Sequence, residues 1–365
     1  MADPIDFMII GAGPVGLAAG LFLAERSHRP RIVEKAEAIS PYSKAFGVNA
    51  RSLDLLKPTG VTERFLANGR RLERLNLHRR GEILGTLRLN EVDTDYPFML
   101  VQSQADSERI LEAALAERNV IVERGVEATS IRIEDELAHV GLTSASGEKT
   151  IIARTVLGAD GAHSMVRHAL GVSFDGIAYK EPWRLWDLEL DTPLDPDDAH
   201  VFLLDHGCMF VVRHRDNLWR VLGTGPDLLQ SFPPETKIGA VHWQSEFHIS
   251  NRVVGAFSKG PAYLAGDAAH IHAGIGARGM NLGIEDAYVF AELFHKNELG
   301  RFDGLRRPVD KKVVADITRL MRIPRVEALP GRIVRTMPWL VRLAVPLVRS
   351  HIQPWLLGLN HPVET

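Results

Sequence analysis

A strand, a glycine-rich turn and a helix follow one another at the start of the chain. Residues 6–10, Asp-Phe-Met-Ile-Ile, form an apolar run without alternation, as a buried parallel strand requires. The turn Gly-Ala-Gly-Pro-Val-Gly at residues 11–16 leads directly into a helical stretch. Gly11 permits the tight turn, Gly13 lets backbone amides approach a pyrophosphate, and Gly16 lets the helix pack on the strand. The opening therefore predicts a dinucleotide-binding βαβ unit.

The second strand of this unit ends in an acid. It reads Pro30-Arg-Ile-Val-Glu34, and a carboxylate at this point accepts hydrogen bonds from both hydroxyls of an adenosine ribose. The pyrophosphate is expected at the N-terminus of the preceding helix, where free N–H groups and the helix dipole attract anions. This motif alone is compatible with both FAD and NAD.

Length and composition indicate a two-domain globular protein. The 365 residues are 45% hydrophobic and 24% charged, and the net charge of −3 argues against a nucleic-acid partner. The single cysteine, Cys208, excludes an internal disulfide and is interpreted as a small core residue. The N-terminus lacks the features of a signal peptide, and no run reaches the ~18–20 apolar residues of a membrane span. We therefore expect a cytoplasmic protein.

Two later segments, 151–167 and 261–287, repeat the pattern of a strand that ends in a glycine turn. The first contains Gly-Ala-Asp160-Gly, followed by a serine and an arginine. The second contains Gly-Asp267, a glycine-rich loop and then Gly-Met-Asn281, where a helix is expected to begin. A helix N-terminus at this point directs free N–H groups at whatever precedes it and stabilises negative charge there.

With these three motifs the chain resembles the class A flavoprotein monooxygenases, the para-hydroxybenzoate hydroxylase-like family. The signatures GxGxxG, DGxxSxVR and GDAAH…G…GxN…DA occur in the family's order, and the similarity extends from Asp6 to about Pro308. The resemblance implies non-covalent FAD, with NADPH or NADH as a transient reductant because no second dinucleotide fingerprint is present. It also implies that O2 and reduced flavin form a C4a-hydroperoxide, which hydroxylates a small aromatic, phenolic or quinone-like substrate.

The resemblance also implies roles for matched residues. Asp267 would hold the ribityl chain of FAD, Asp160 would order the cofactor and the motif loops, and Gln104 matches a family glutamine near the cofactor. Lys44 falls where the family usually has an arginine near the flavin phosphates, although lysine lacks the bidentate fork. No metal site is predicted, and His270 and His272 are interpreted as structural. The predicted cofactor-binding set is Gly11, Gly13, Pro14, Val15, Gly16, Glu34, Lys35, Lys44, Gln104, Val126, Asp160, Gly266, Asp267, Gly279, Met280 and Asn281.

The loop after the third motif departs from the family pattern. Ala273 and Gly274 stand where the family often has two prolines, so the loop beside the flavin is predicted to be more mobile. No catalytic residue is assigned. Phe202, Phe210 and Val212 are pocket candidates, although their strands are equally compatible with sheet core. These strands lack the carboxylate-binding hydroxyls of the benzoate hydroxylases, which favours a less polar substrate or a carboxylate held elsewhere.

The fold class predicted from these patterns is α/β, with a discontinuous Rossmann-like FAD-binding domain. Segments 1–73, 100–175 and 259–300 are assigned to that domain. A mixed or antiparallel β-sheet made from 74–99 and 176–258 is predicted to cover the flavin and bind the substrate. Turn residues separate the predicted strands of this sheet, 75–78, 83–89, 184–190, 199–204, 208–213 and 218–224.

The remaining segment, 301–365, is predicted to be helical. From Val309 onward we expect short helices separated by prolines, and from Arg319 to Arg349 there are seven arginines against one acid, Glu327. One interpretation is a basic amphipathic surface that contacts a membrane. We favour helices that pack on the FAD-binding domain or on a second subunit of a homodimer, because the prolines keep each apolar face short.

Three alternative functions remain open from the sequence. The same fold serves FAD-dependent reductases or dehydrogenases and also halogenases. The halogenases carry a Trp-x-Trp-x-Ile-Pro signature that the sequence from Trp243 onward, Trp-Gln-Ser-Glu-Phe-His, does not match. A flavin-binding protein that serves a partner enzyme without catalysing is the third alternative; the intact motifs disfavour it.

Overall fold

The computed structural model describes residues 3–42, 45–323, 333 and 336–365. The strands in chain order are β1 (Ile5–Ile10), β2 (Arg31–Glu34), β3 (Arg70–Leu72), β4 (Arg74–Arg79), β5 (Glu82–Arg88), β6 (Met99–Val101), β7 (Val122–Arg124), β8 (Glu127–Glu134), β9 (Leu137–Ser144), β10 (Gly147–Gly158), β11 (Phe174–Asp191), β12 (Ala199–Leu203), β13 (Cys208–Arg215), β14 (Leu218–Thr224), β15 (Lys237–Val254), β16 (Ser258–Lys259), β17 (Ala262–Leu264) and β18 (His270–Ile271). The helices are α1 (Pro14–Glu25), α2 (Ala50–Leu56), α3 (Val61–Asn68), α4 (Gln104–Ala116), α5 (Met165–Leu170), α6 (Arg278–His295), α7 (Phe302–Leu320) and α8 (Pro338–Leu356).

The first large sheet has a parallel centre. Its order is β16-β17-β10-β1-β2-β7, and the four pairings from β17 to β7 are all parallel. Strand β1 lies in the middle and is buried from Phe7 to Ile10, which explains its continuous apolar sequence. Strand β9 pairs antiparallel with the start of β10, and β8 pairs antiparallel with β9. This sheet confirms the predicted α/β core.

The second large sheet is mixed, as predicted. Its order is β18-β15-β11-β14-β13-β12-β4-β5, and the β12–β4 pairing is parallel whereas the others are antiparallel. Five of the six strands predicted for this region are confirmed with small shifts at their ends, whereas the strand predicted at 184–190 begins ten residues earlier, as β11, and β15 was not predicted. Strand β18 belongs to this sheet although its residues fall in a segment assigned to the FAD-binding domain. The exact segment boundaries of the two domains therefore stay a prediction.

Helices α1 and α6 cross each other closely because glycines lie at the contact. A Cβ on Gly283 of α6 would lie 2.4 Å from Val15 Cγ2 of α1, and one on Gly266 would lie 2.7 Å from the same atom. Within the opening motif, a Cβ on Gly16 would lie 2.0 Å from the Gly11 carbonyl oxygen. Any larger residue at these positions would push the first and third motifs apart.

The prediction of short helices in the C-terminal segment is wrong for the described residues. Helices α7 and α8 have 19 residues each and continue through Pro308 in α7 and through Pro346 and Pro354 in α8. Proline fixes φ at a helical value, and the hydrogen bond that it removes is offset where the helix packs on the rest of the protein. Pro324 and Pro330 lie outside the described residues. Among the described residues, no helix is both long enough and apolar enough to cross a bilayer.

A fully buried ionic network joins α6, α7 and the turn after β17. The Asp286 carboxylate accepts hydrogen bonds from the Gly266 amide (3.0 Å), His270 Nε2 (2.8 Å) and Arg306 Nε (2.7 Å). Arg306 also donates to Glu285 (2.6 Å) and to Asp310 (3.1 Å). One buried arginine therefore balances the carboxylates of two helices.

The network contains more carboxylates than permanent cations, and two pKa values shift accordingly. Burial and the neighbouring Asp286 carboxylate raise the pKa of Asp310 to about 8. Burial alone would lower the pKa of His270, but the neighbouring carboxylates raise it, with Asp286 in a direct hydrogen bond. The first shift favours the neutral form of Asp310, and the second favours a charged His270.

Arg306→Met is expected to lower the free energy of unfolding by about 3–5 kcal/mol, because it removes the cation that the buried Asp286 and Glu285 carboxylates share and leaves each of them with a histidine partner only. Asp310→Asn keeps an acceptor for Arg306 and replaces a group that is already neutral, so its cost is expected to stay below about 1 kcal/mol. Urea unfolding of both variants measures the difference. Equal losses would contradict the assigned charge states.

The raised pKa of Asp310 also predicts a pH dependence. Between the ordinary pKa of an aspartate and about 8, the folded protein holds a proton that the unfolded chain has released. The contribution of Asp310 to stability is therefore lost as the pH rises through this window. Asp310→Asn lacks this contribution, so the variant should gain stability relative to the wild type between pH values of about 5 and 8.

Candidate flavin site and substrate pocket

Three turns from distant parts of the chain meet at the carboxyl edge of the parallel strands. The Gly11 amide donates to the Val33 carbonyl (2.9 Å), the Ala159 amide to Ile10 (2.8 Å), and the Ala265 amide to Gly158 (3.0 Å). Each turn is thus tied to its neighbour by a backbone hydrogen bond. Ligands of open α/β sheets bind at this edge.

The N-terminus of α1 is open toward this edge. Its N-cap residue, Gly13, has no side-chain cap, and Pro14 occupies the first helical position, where its missing N–H costs nothing. A Cβ on Gly13 would meet nothing within 4 Å, whereas one on Gly11 would lie 2.4 Å from the Ala159 carbonyl oxygen. The free amides of α1 therefore face open space that fits a pyrophosphate.

Glu34 lies beside this opening and is held by backbone amides. Its carboxylate accepts hydrogen bonds from the amides of Ala12 (2.8 Å) and Ala36 (2.9 Å), one on each oxygen. Each oxygen keeps a second lone pair, as two ribose hydroxyls require. The Val126 amide donates to the Glu34 carbonyl (3.0 Å), which sets Val126 at the same edge. Lys35 is exposed, and Lys44 lies outside the described residues.

The second motif links the three turns. Asp160 accepts hydrogen bonds from Ser164 Oγ (2.6 Å) and from the Val166 amide (3.1 Å), so its carboxylate organises the turn and the start of α5. Arg167 of α5 donates to the carbonyl of Ala268 in the third motif (3.0 Å). Asp160 therefore orders its own turn, and Arg167 links that turn to the third motif.

The third motif presents Asp267 and the N-terminus of α6. Gly266 has φ +58° and begins a 3-10 turn at Gly266–Ala268, in which Asp267 is exposed. Helix α6 begins at Arg278 without a side-chain cap, after Ala277 in the left-handed region (φ 52°). Asn281 is buried, accepts a hydrogen bond from the Asn49 amide (3.0 Å) and donates to the Gly47 carbonyl (2.9 Å). It therefore holds the start of α6 against segment 47–49.

Three further members of the predicted set lie in the first turns of α6 and α4. Gly279 adjoins His272, since a Cβ on Gly279 would lie 3.7 Å from His272 Cε1, and Met280 is half-buried. Gln104 begins α4 and donates to Glu108 Oε1 (2.7 Å), while burial raises the pKa of Glu108. The described members of the set thus gather at one edge of the sheet, and their contacts with a cofactor stay a prediction.

The loop at Ala273 and Gly274 is fixed without the two prolines. The Ala273 amide donates to Asn251 Oδ1 (2.9 Å), and Asn251 Nδ2 donates to Thr318 Oγ1 (2.9 Å). His272 Nδ1 donates to the Ala273 carbonyl (2.9 Å), and burial lowers the pKa of His272 to about 3, so the ring is neutral. Both backbone groups of Ala273 are therefore paired.

The C-terminal end of α8 packs against the same loop, a contact that the sequence did not predict. A Cβ on Gly276 (φ +73°) would lie 2.6 Å from Trp355 Cζ3. Arg278 donates to the Trp355 carbonyl (3.2 Å), and Arg51 donates to the carbonyls of Gly358 (3.3 Å) and His361 (2.8 Å). No local pattern pairs Trp355 with a glycine so far away in the chain.

One face of the second sheet covers this loop. Cys208 and Val212 are buried in the same hydrophobic cluster as Ala273, and Phe210 and Leu222 pack against that cluster. A Cβ on Gly274 would lie 3.8 Å from Leu222 Cδ2. The sheet thus presents an apolar surface to residues 273–276, called the flavin loop below.

Phe202 does not share this surface. Its side chain belongs to a separate cluster with Met209 and Val211 on the opposite face of the sheet, and it stacks on His78 at a centroid distance of 4.5 Å. Side chains alternate between the faces of a strand, and the sequence did not reveal which face Phe202 occupies. The structure brings Phe210 and Val212, but not Phe202, to the predicted pocket.

Comparison with known proteins is consistent with this geometry. The family model described as "FAD binding domain" matches residues 5–222 and 224–300. A 6-methylpretetramide 4-monooxygenase of Streptomyces rimosus is 31% identical over 80% of this chain and 55% of the relative. A pentachlorophenol 4-monooxygenase of Sphingobium chlorophenolicum is 27% identical over 77% of this chain and 56% of the relative. The chain thus spans little more than half the length of these curated relatives.

Solved structures share the fold. A p-nitrophenol 4-monooxygenase of Pseudomonas putida DLL-E4 superposes with a TM-score of 0.85 at 22% identity, over 99% of both chains. A complex of aklavinone-11 hydroxylase with FAD and aklavinone gives a TM-score of 0.78 at 22% identity, over 91% of this chain and 71% of the other. The family match and the shared fold confirm the resemblance carried by the three motifs. The chain belongs to the FAD binding domain family of class A flavoprotein monooxygenases.

Proposed function

We propose that the chain is an FAD-dependent monooxygenase that uses NADH or NADPH and O2 to hydroxylate a small aromatic, phenolic or quinone-like substrate. One observation carries the proposal. The apolar face of the second sheet, at Phe210, Val212 and Leu222, covers the flavin loop beside the open N-terminus of α6. Relatives named as monooxygenases of phenolic and polycyclic compounds support it.

The protein groups around the proposed cofactor bind and orient it. FAD, when bound, supplies the electron transfer and oxygen chemistry, which the side chains of this site cannot provide. The amides of α1 at Gly13 would hold the pyrophosphate, and Glu34 would hold the adenosine ribose. Asp267 would contact the ribityl chain, and the first amides of α6, from Gly279, would favour negative charge at the ring system.

The pocket itself orients the substrate and excludes water. The side chains of Cys208, Phe210, Val212 and Leu222 carry no charge, and Arg220, which lies opposite Val212 on the neighbouring strand, is paired with Asp187 (2.8 Å). This lining favours a neutral aromatic ring over a carboxylate. Arg213, on the same strand as Val212, donates to Asp197 (2.9 Å). A dry pocket would also limit the release of hydrogen peroxide that water promotes.

Oxidation of NADH and NADPH in air, measured across a panel of phenols, quinones and polycyclic aromatics, tests the proposed reaction. We expect at least one substrate to stimulate turnover and to gain a single oxygen atom that carries the label of ¹⁸O2. Hydrogen peroxide is recorded in parallel, because its release measures uncoupled turnover. Product formed without added oxygen would replace the proposal with a dehydrogenase, and flavin reduction without any product would favour a non-catalytic flavin protein.

Asp267→Ala is expected to raise the dissociation constant of FAD roughly ten- to a hundredfold, because hydrogen bonds to a charged group are lost. Flavin fluorescence on titration of the apoprotein measures this constant. Glu148→Ala is the matched control, since Glu148 is exposed on β10 away from the three turns. Equal FAD affinity in the two variants would remove Asp267 from the site.

Trp355→Leu is expected to leave FAD bound but to raise several-fold the fraction of NAD(P)H oxidation in which O2 is reduced to hydrogen peroxide, because Gly276 loses the ring that fixes the flavin loop. Trp355→Phe keeps an aromatic ring there and should restore most of the coupling. Trp339→Leu is the control on the same helix, because Trp339 is exposed. Coupling as high in Trp355→Leu as in Trp339→Leu would contradict a positioning role.

A further inference from the structure

Helix α8 has an exposed apolar stripe, formed by Trp339, Leu343 and Leu347. These three side chains are 57%, 63% and 77% exposed and recur every four residues, so they lie along one side of the helix. Among the described residues, half of the twelve exposed large apolar side chains lie between Ile333 and Val348. Isolated apolar residues on a surface are ordinary, but a concentration of this kind marks an interaction surface.

The opposite side of α8 packs against the rest of the protein. Val345 faces the second sheet, where a Cβ on Gly85 would lie 3.0 Å from Val345 Cγ1. Gln353 donates to the Arg88 carbonyl (2.6 Å), and Trp355 packs on Gly276. The helix is therefore fixed to the protein by one side, and the stripe points away from it.

The positive charge of the residues around the stripe favours a partner with negative charge. From residue 328 to residue 363 the sequence contains four arginines and no aspartate or glutamate, in a chain whose net charge is −3. Arg342 and Arg349 pair with Glu82 (2.8 Å) and Glu91 (3.3 Å), and each arginine side chain stays 51% exposed. A second copy of the chain would bring the same basic segment against itself, because a twofold interface repeats each patch on both partners.

We propose that α8 docks on a lipid surface that contains anionic phospholipids, with the apolar stripe inserted at the level of the headgroups. Tryptophan and leucine on one side with flanking arginines are typical of helices that lie in the plane of a membrane interface. Anionic headgroups attract the basic segment, and burial of the stripe supplies the apolar contribution. In this proposal the helix lies on the bilayer and does not cross it. No helix among the described residues is both long enough and apolar enough to cross a bilayer.

Co-sedimentation with vesicles tests this proposal on the FAD-loaded protein. Vesicles of phosphatidylcholine are compared with vesicles that also contain phosphatidylglycerol, at low and at raised salt. We expect binding to the phosphatidylglycerol vesicles that weakens with salt. The double variant Leu343→Glu/Leu347→Glu should lower the partition coefficient by at least about tenfold, because it places two charges in the stripe.

The control is Ile121→Glu, which charges a side chain that is 67% exposed and lies just before β7 of the first sheet. It should bind vesicles as the wild type does. Flavin content and sedimentation velocity establish that both variants are folded. Absence of wild-type binding to phosphatidylglycerol vesicles, or undiminished binding by the double variant, would overturn the proposal. A wild-type dimer that the double variant dissociates would assign the stripe to a second copy and also overturn it.

Discussion

The Asp286 carboxylate fixes the geometry on which the candidate site depends. It receives the Gly266 amide of the third motif, the His270 ring and the Arg306 guanidinium, all of them buried. Burial would keep a carboxylate protonated, but Arg306 and His270 lower the pKa of Asp286 instead. The charged group then orders three segments at once, because each segment supplies one donor. Removal of one partner would leave an uncompensated buried charge, which explains why the turn and helices α6 and α7 form one unit.

The local parts of the site could be predicted from the sequence because each one follows from a few adjacent residues. Strand β1, the glycines at 11, 13 and 16 and the start of α6 are encoded in short patterns, so their positions were predicted to within a few residues. Contacts between distant segments could not be predicted, because no short run of adjacent residues specifies them. Trp355 against Gly276 joins the last helix to the flavin loop, and Phe202 shows that a strand pattern does not reveal which face meets the pocket. The helix breaks predicted at Pro346 and Pro354 are not observed, because tertiary packing offsets a single lost hydrogen bond, whereas α8 does begin at Pro338.

The flavin loop illustrates how a departure from a family pattern can be compensated elsewhere. Ala273 and Gly274 lack the fixed φ angles of proline, and the sequence alone therefore suggested a mobile loop. In the structure the Ala273 amide and carbonyl are bound by Asn251 and His272, and Gly276 lies under Trp355. Order in this loop thus comes from side chains of β15, α7 and α8 together with the neighbouring His272, and not from fixed proline angles. A loop of this kind depends on the packing of the C-terminal segment.

Helix α8 consequently connects two surfaces with different chemistry. Its inner side packs on the second sheet at Gly85 and its last turn closes the flavin loop at Gly276, whereas its outer side exposes Trp339, Leu343 and Leu347. Because tightly packed side chains move together, the packing of α8 ties the position of the exposed stripe to the sheet at Gly85 and to the loop at Gly276. The order of the loop beside the proposed cofactor thus depends on how α8 is held as well as on Asn251 and His272.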